Sequence, residues 1–327
     1  MRRPLILVVS NSQDVHVGLV TSELEARGHR FARFDTDRVQ HDCDVLFEVS
    51  RRSALTRFRV DDFLFSSQDV TAVWWRRPED VVANPDLNQE AKTFVRREWA
   101  AALQGAWRTI DGLWVNHPER LRFARYKIPQ LLLARDLGFS IPDTCVSADP
   151  GIVREFCRRH DYRVIAKLAD AGPPRVDPPN LQYTVYTTPI VEADLDSDLA
   201  ISAAPSIYQS YVEKDHELRV TVVGDRVLAC RIDSQATEST RVDWRRYDLD
   251  NTPHFATTLS PDLCDRCVSI TQRLGLVFAA IDLVVTPDGE LVFLEINPNG
   301  QWAWIQELTG LPIAQALADV LGRDCAS

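Results

Sequence analysis

The sequence predicts an α/β (α+β) protein that opens with a parallel βαβ unit and closes in an antiparallel sheet. Residues 4–34 read as strand, helix and strand, the order that builds a parallel sheet. Residues 207–232 read as strands turned at Gly224-Asp225, a two-residue hairpin signal. Residues 278–297 hold two apolar strands about a Pro-Asp-Gly turn, and both strands carry acids.

Residues 4–10 are an apolar run of buried-strand length, followed by the polar turn 11–14. Val15, Leu19 and Leu24 have helical spacing over residues 15–27, and Gly28 is placed to end that helix. Residues 30–34 supply the second strand, and no GxGxxG accompanies this opening, so a dinucleotide fingerprint is unsupported. Short alternating runs over residues 43–75, RFRVDDFLF and VTAVWWRRP among them, read as added strands. Arg76 and Arg77 leave the last of these before Pro78; a solvated strand end is the ordinary reading, and contact with an anionic substrate is the other.

Residues 88–110 form a long helical stretch in which Phe94, Leu103, Trp107 and Ile110 share a buried face. WVNHP marks a boundary near residue 115, after which a helix bearing Lys127 runs to Gly138 and a strand is entered at Ile141-Pro142. His117 has no second histidine at ligand spacing and reads as structural. Residues 161–168 are an apolar strand with Lys167 near its end; an ammonium there either snorkels to the edge or meets an anion. The proline-rich stretch 170–180 is a candidate loop over a ligand, residues 184–190 resume strand-like alternation, and residues 192–202 are a linker or short helix.

In the hairpin turned at Gly224-Asp225, a strict two-residue loop pairs Arg219 with Cys230 and Arg231 with Leu218, which sends the two arginines to opposite faces. The aromatic loop DWRRYD holds Arg245 and Arg246. Residues 262–274 form a helix carrying a CxxC at Cys264 and Cys267; with no second pair, packing is the expected role. Residues 303–308 and 313–321 read as closing helices.

Composition narrows the partners. A length of 327 residues allows two or three subdomains, and 45% apolar with 26% charged residues is ordinary for a globular protein. A net charge of −10 argues against a nucleic-acid or anionic-membrane partner. No apolar run approaches the roughly 18 residues that cross a bilayer, and the apolar part of MRRPLILVVSNSQD is short for a signal peptide. Seven scattered cysteines suit reduced thiols, so a cytoplasmic location is expected.

The acid-bearing hairpin carries the chemistry. A two-residue loop at Asp288-Gly289, or a four-residue loop over residues 287–290, sets Asp282 across from Glu295, with Asn297 two residues along the same face. Facing carboxylates repel unless a cation lies between them, and two anionic oxygens with one amide suit Mg²⁺. The bland alternative is an edge hairpin with solvated acids, against which Val284, Val292, Leu294 and Ile296 make both strands look buried. A three-residue loop with a bulge would put Asp282 and Glu295 on opposite faces. No GxxxxGK[ST], HRD/DFG pair or GxSxG is present, which leaves an ATP site built from strands with separated lysines.

The order NHPERLRFARYK, VIAKL, YQSYVEKDHELRVTVVGDRV and DLVV…LEINPNGQW resembles the ATP-grasp ligases over residues 115–310, with residues 1–114 similar to the substrate-side N-terminal domain of that group. WWRRP, WVNHP, EKDHELRVTVVGDRV, IDSQ, DWRRYD and LEINPNGQWAW together resemble the microviridin-type (graspetide) peptide maturases. The resemblance implies an N-terminal pre-ATP-grasp domain (1–115), a central lid subdomain (116–202) and a C-terminal subdomain with the Mg²⁺ site (203–327). It departs from the pattern where Leu168, instead of proline, follows Lys167, and where the next loop is not glycine-rich.

Position by position, the resemblance implies that Lys127 and Lys167 contact the ATP phosphates. Gln209, Tyr211, Val212 and Glu213 would form the hinge holding adenine, with Glu213 near the ribose. Asp282, Glu295 and Asn297 would ligate Mg²⁺; Arg219 and Arg231 would face the γ-phosphate or the activated carboxylate; Arg245 or Arg246 would hold an acidic peptide core. The implied reaction joins Asp or Glu side chains of a ribosomal precursor peptide (a leader plus an acidic, Thr-rich core) to hydroxyls or amines as esters or amides. Dimers are common in that group, so a homodimer is expected. Two alternatives are a ligase adding free amino acids to a protein or peptide, and a non-catalytic ATP- or peptide-binding module. Retention of Lys127, Lys167, Asp282, Glu295 and Asn297 together argues against the module.

Overall fold

The computed structural model describes residues 4–169, 187–237 and 251–323. The opening is β1 (Leu5–Ser10), α1 (Val15–Ala26) and β2 (Phe31–Asp35). Asp14 caps α1 by accepting from the His16 amide, and Gly28, at φ +71°, takes the left-handed turn that ends it. The added strands β3 (Cys43–Val49), β4 (Ala54–Val60) and β5 (Phe63–Ser66) form a separate antiparallel sheet. The chain then returns through β6 (Val70–Trp75), helix α2 (Gln89–Trp107) and β7 (Leu113–Val115) to complete a parallel sheet of order β2-β1-β6-β7.

Helix α2 buries Leu103 and Trp107, and Ile110 follows them into the same core, where Trp107 stacks on Phe58. Phe94 departs from the expected buried face and is 55% exposed, because its spacing from Leu103 puts it on the opposite side of a helix with about 3.6 residues per turn. The single helix expected around Lys127 is two: α3 (Pro118–Ala124) and α4 (Lys127–Asp136), with Lys127 the first residue of the second. His117 caps α3, its Nδ1 accepting from the Glu119 amide at 3.3 Å.

A second sheet follows from β8 (Thr144–Ser147), α5 (Pro150–Arg159), β9 (Val164–Lys167), β10 (Thr188–Pro189), α6 (Asp198–Ser202) and β11 (Ser206–Ser210), in the order β10-β9-β11-β8. The last sheet, β14-β13-β12-β15-β16, contains β12 (His216–Val223), β13 (Arg226–Ile232), β14 (His254–Thr257), β15 (Phe278–Val285) and β16 (Leu291–Asn297). Helix α7 (Pro261–Arg273) lies between β14 and β15 in sequence, and α8 (Ala303–Thr309) and α9 (Ile313–Leu321) close the chain. Cys267 on α7 is buried in the core and burial pushes its thiol up to about 12, the behaviour of a packing residue.

Both faces of the last sheet are covered. Leu218, Val220 and Val222 meet Leu263, Cys267 and Ile270 of α7. On the other face Val223, Cys230 and Ile232 share one core with α9 and with Val17, Val20 and Leu24 of α1, so the first and last sheets are packed together through these two helices. Asn116 adds a polar clasp, accepting from the amides of Val277 and Phe278 at 2.7 and 3.0 Å and donating to the Phe278 carbonyl at 2.7 Å. Among the described residues no helix is long and apolar enough to cross a membrane.

Candidate active site

The β15–β16 hairpin closes where the Thr286 amide meets the Glu290 carbonyl at 2.9 Å, leaving a three-residue loop of Pro287, Asp288 and Gly289. Two- and four-residue loops were the expected routes to facing acids, and a three-residue loop with a bulge was expected to part them, which the structure overturns. Glycine at φ +85° permits the tighter backbone. An odd loop shifts the register by one, so Leu283 pairs with Phe293. A bulge at Leu294 then restores it, and Asp282 sits directly across from Glu295, with Asn297 opposite Ala280. The pairing is as expected, but two irregularities that cancel produce it.

Both carboxylates are held by cations of the chain. Arg219 lies across from Asp282 on β12, and its Nη1 donates to both Asp282 oxygens at 2.8 and 2.7 Å. Lys127 Nζ stands 3.0 Å from Glu295. Among the described residues no group of three or more His, Cys, Asp or Glu is placed to hold a metal ion. The donor set is therefore two carboxylates with a nearby amide, which leaves room for water and phosphate on a hard cation. Asn297 is exposed, accepts from the Asn299 amide at 3.1 Å, and lines a second hollow with Lys127, Arg125 and Glu295.

A pocket opens between the second and last sheets. Ile165 and Lys167 of β9 form one wall; Val284, Leu294, Asp282 and Glu295 form the other. Gln209, Tyr211 and Val212 lie along its end. Gln209 donates from Nε2 to Thr144 Oγ1 at 3.0 Å, while its Oε1 is buried without a hydrogen-bond partner among the described residues. An apolar slot ending in an unmet acceptor suits a flat ring that carries an amino group.

Of the expected residues, Lys127 and Arg219 do not line this pocket but reach it through Glu295 and Asp282, and three more stand apart from it. Glu213 is exposed and bonds Arg163 at 2.6 Å. Arg231 pairs with Leu218, as the two-residue turn requires, and so occupies the opposite sheet face from Arg219; it bonds Asp233 at 2.6 Å. Asn297 lies in the adjoining hollow. Arg245, Arg246 and the candidate loop 170–180 fall outside the described residues.

Residues 5–122 match the MvdD pre-ATP grasp domain, and residues 189–321 match a RimK-like ATP-grasp domain. The macrocyclase MdnC from Microcystis aeruginosa MRC, solved with the precursor peptide MdnA, is 28% identical, with 98% of this chain and 99% of that one covered and a TM-score of 0.86. A RiPP-associated ATP-grasp ligase of Chryseobacterium gregarium, solved with ADP and a leader and core peptide, is 27% identical, with 98% and 97% covered and a TM-score of 0.90. The macrocyclase MdnB from Microcystis aeruginosa MRC is 26% identical, with 97% and 99% covered and a TM-score of 0.78. The chain is an ATP-grasp ligase. No curated protein matches it by sequence.

Two features of the ligase's site were missed in the sequence. Lys214 and Glu217 form a buried ion pair at 2.9 Å on the pocket wall. Burial pushes the Glu217 carboxyl above its ordinary range, against the pull of the Lys214 ammonium. The only signal was the charge spacing in EKDHE, which reads as a solvated loop.

The other is Arg76, 1% exposed where a solvated strand end was expected. Its Nη1 donates to Asn299 Oδ1 at 2.8 Å and to the Asn299 and Gly300 carbonyls at 3.1 and 3.2 Å. Its Nε lies 3.2 Å from Asp14, which also bonds His16 Nδ1 at 2.8 Å; His16 Nε2 accepts from the Trp302 amide at 3.3 Å. Burial would raise the Asp14 carboxyl, but the His16 hydrogen bond and the Arg76 charge bring it down to about 2. Burial lowers Arg76 to about 10 and lowers His16 as well.

These contacts tie the first sheet to the loop after β16 of the ligase. Gly300 in that loop has no room for a side chain, since a Cβ would lie 2.6 Å from Ala280 Cβ and 2.7 Å from Arg219 Nη2. Beside the tie lies an open cleft of about 640 Å³, lined by Asn11, Gln13, Arg77, Asn299 and Gln301. It sits at the carboxyl ends of β1 and β6, where the strand order reverses direction, the usual place for a ligand in a parallel sheet.

Proposed function

We propose that this ligase uses ATP and Mg²⁺ to activate Asp or Glu side chains of a ribosomal precursor peptide and closes them onto hydroxyls or amines of the same peptide. The observation that carries the reading is Asp282 facing Glu295 on the wall of a pocket whose other wall presents Lys167. The unmet Gln209 acceptor at the pocket's end suits the adenine amino group, and the donor set suits magnesium. The peptide complexes of the similar ligases support the substrate class.

In this scheme Gln209, Tyr211 and Val212 hold the base, with Glu213 toward the ribose, and Lys127 and Lys167 hold phosphates. Asp282, Glu295 and Asn297 hold the metal, which when bound neutralises phosphate oxygens. A peptide carboxylate oxygen attacks the γ-phosphorus, the bond to ADP breaks, and an acylphosphate forms. A hydroxyl or amine then attacks the acyl carbon, phosphate leaves, and the nucleophile's proton passes to phosphate or solvent. Arg219 lessens the repulsion between carboxylate and phosphate, and positioning supplies the rest. Arg231, on the far sheet face, is left out of this scheme, and the cleft beside Arg76 is assigned to the peptide.

The same proposal includes an acidic, Thr-rich core held by Arg245 or Arg246, a homodimer in a cytoplasmic setting, and the division into residues 1–115, 116–202 and 203–327. Intact-mass measurement of a candidate precursor tests the reaction. One water lost per bond, with ADP formed in step, is expected; added residue mass would point instead to ligation of free amino acids and overturn it.

A further inference from the structure

Helices α3 and α4 present a basic and aromatic surface beside the carboxylate pair, and we propose that it docks the acidic segment of the peptide substrate. This rests on the peptide-ligase reading and adds where that substrate is held. In a chain of net charge −10, residues 119–127 carry Arg120, Arg122, Arg125 and Lys127 against a single acid, Glu119. Glu119 is already matched by Arg108 at 2.6 Å. The three arginines of the run are exposed, and Phe123 and Tyr126 between them each show 53% of their surface. Ile128 and Leu132, one turn apart on α4, are exposed as well. Four large apolar side chains exposed within the ten residues from Phe123 to Leu132 set this stretch apart from an ordinary charged face. Exposed apolar groups rimmed by charge mark interaction sites, and Arg, Tyr and Phe are the types enriched there.

The surface is fastened to the site. Gln130 of α4 donates from Nε2 to the Ile296 carbonyl at 2.9 Å, and the Ile296 amide donates to Gln130 Oε1 at 3.1 Å. Ile296 stands between Glu295 and Asn297. The second hollow, about 310 Å³, runs from Arg125 on the surface side to Lys127, Glu295 and Asn297. A reaction that consumes side-chain carboxylates needs a segment rich in them. Such a segment is repelled by a chain this acidic unless it meets a local run of cations, which steers encounter and sets register.

The test uses the full-length ligase with ADP and Mg²⁺. The probe is a fluorescein-labelled synthetic peptide of Thr, Leu, Asp and Glu, with a twin in which Asn and Gln replace the acids. Anisotropy should show the acidic peptide binding more tightly, with the preference fading as salt rises. Arg122→Glu should weaken the acidic peptide by about tenfold and the twin far less, while Phe123→Ser weakens both. ADP affinity and the thermal midpoint should stay unchanged; should Arg122→Glu fail to fold, Arg122→Gln is read the same way. Unchanged acidic-peptide affinity in the variant, or equal loss for both peptides, overturns the docking surface. If that variant's parent still removes water from the peptide, the reaction reading stands alone. A wild-type ligase that binds neither peptide overturns the surface, and failure to remove water from any precursor overturns the reaction reading.

Discussion

Arg219 and Asp282 face each other across β12 and β15, and one guanidinium nitrogen reaches both carboxylate oxygens, at 2.8 and 2.7 Å. Both side chains are buried. Arg219→Ala leaves the acid without this partner in low dielectric, and a loss of about 3–5 kcal/mol of folding stability is expected. Denaturant titration of wild type and variant, with and without Mg²⁺, checks it. A change below the error of the titration would show that the pair contributes nothing.

Glu295→Gln keeps the shape of β16 and removes one anionic donor, so Mg²⁺-dependent ADP formation should fall by about a hundredfold or more. A coupled ADP assay reads the effect, and unchanged turnover would remove Glu295 from the metal assignment.

Gly300→Ala tests the approach of the loop to Arg219. The added methyl would lie well inside contact distance of Ala280 Cβ and Arg219 Nη2, so the loop or the guanidinium must shift, at a cost of about 1–3 kcal/mol. The thermal midpoint should drop and kcat should fall more than KM rises. A variant with wild-type kinetics would show that the loop gives way without disturbing Arg219.

The Asp14–His16 pair predicts a pH dependence. Asp14 has its folded pKa lowered to about 2 from 3.8, so its contribution is full above the unfolded value and is lost as pH falls toward 2. The shift corresponds to about 2 kcal/mol at neutral pH. His16 is lowered by burial, so its neutral form is favoured in the fold and stability also declines as pH falls below the unfolded value near 6.5. Stability measured from pH 8 to 3 should therefore fall in two stages. Asp14→Asn should flatten the lower stage and His16→Gln the upper; variants that keep the wild-type profile would exclude the pair as its source.

Much of this architecture was legible because local chemistry sets it. The turn at Gly224-Asp225 fixed the pairing of Arg219 with Cys230, and the βαβ opening followed from one apolar run, one helical period and Gly28. Where two local errors cancel, the sequence misleads about the route but not the outcome: the three-residue loop and the Leu294 bulge still bring Asp282 opposite Glu295. Long-range burial was not legible. Nothing near Arg76 signals that Asn299 and Gly300, more than two hundred positions later, would enclose it. Phe94 is a different case: at about 3.6 residues per turn its phase sets it opposite Leu103, so its exposure was legible in the spacing itself.

Strand β16 is an outer strand of its sheet, and such a strand ordinarily offers its unpaired amides and carbonyls to any passing chain. Here Ser140 bonds the Phe293 amide at 2.8 Å, and the Gln130 amide meets Ile296 through both of its ends. One loop residue and one side chain thus stand in for the missing neighbour. The edge is thereby closed to pairing with another chain, and α4 is fastened to the strand that carries Glu295.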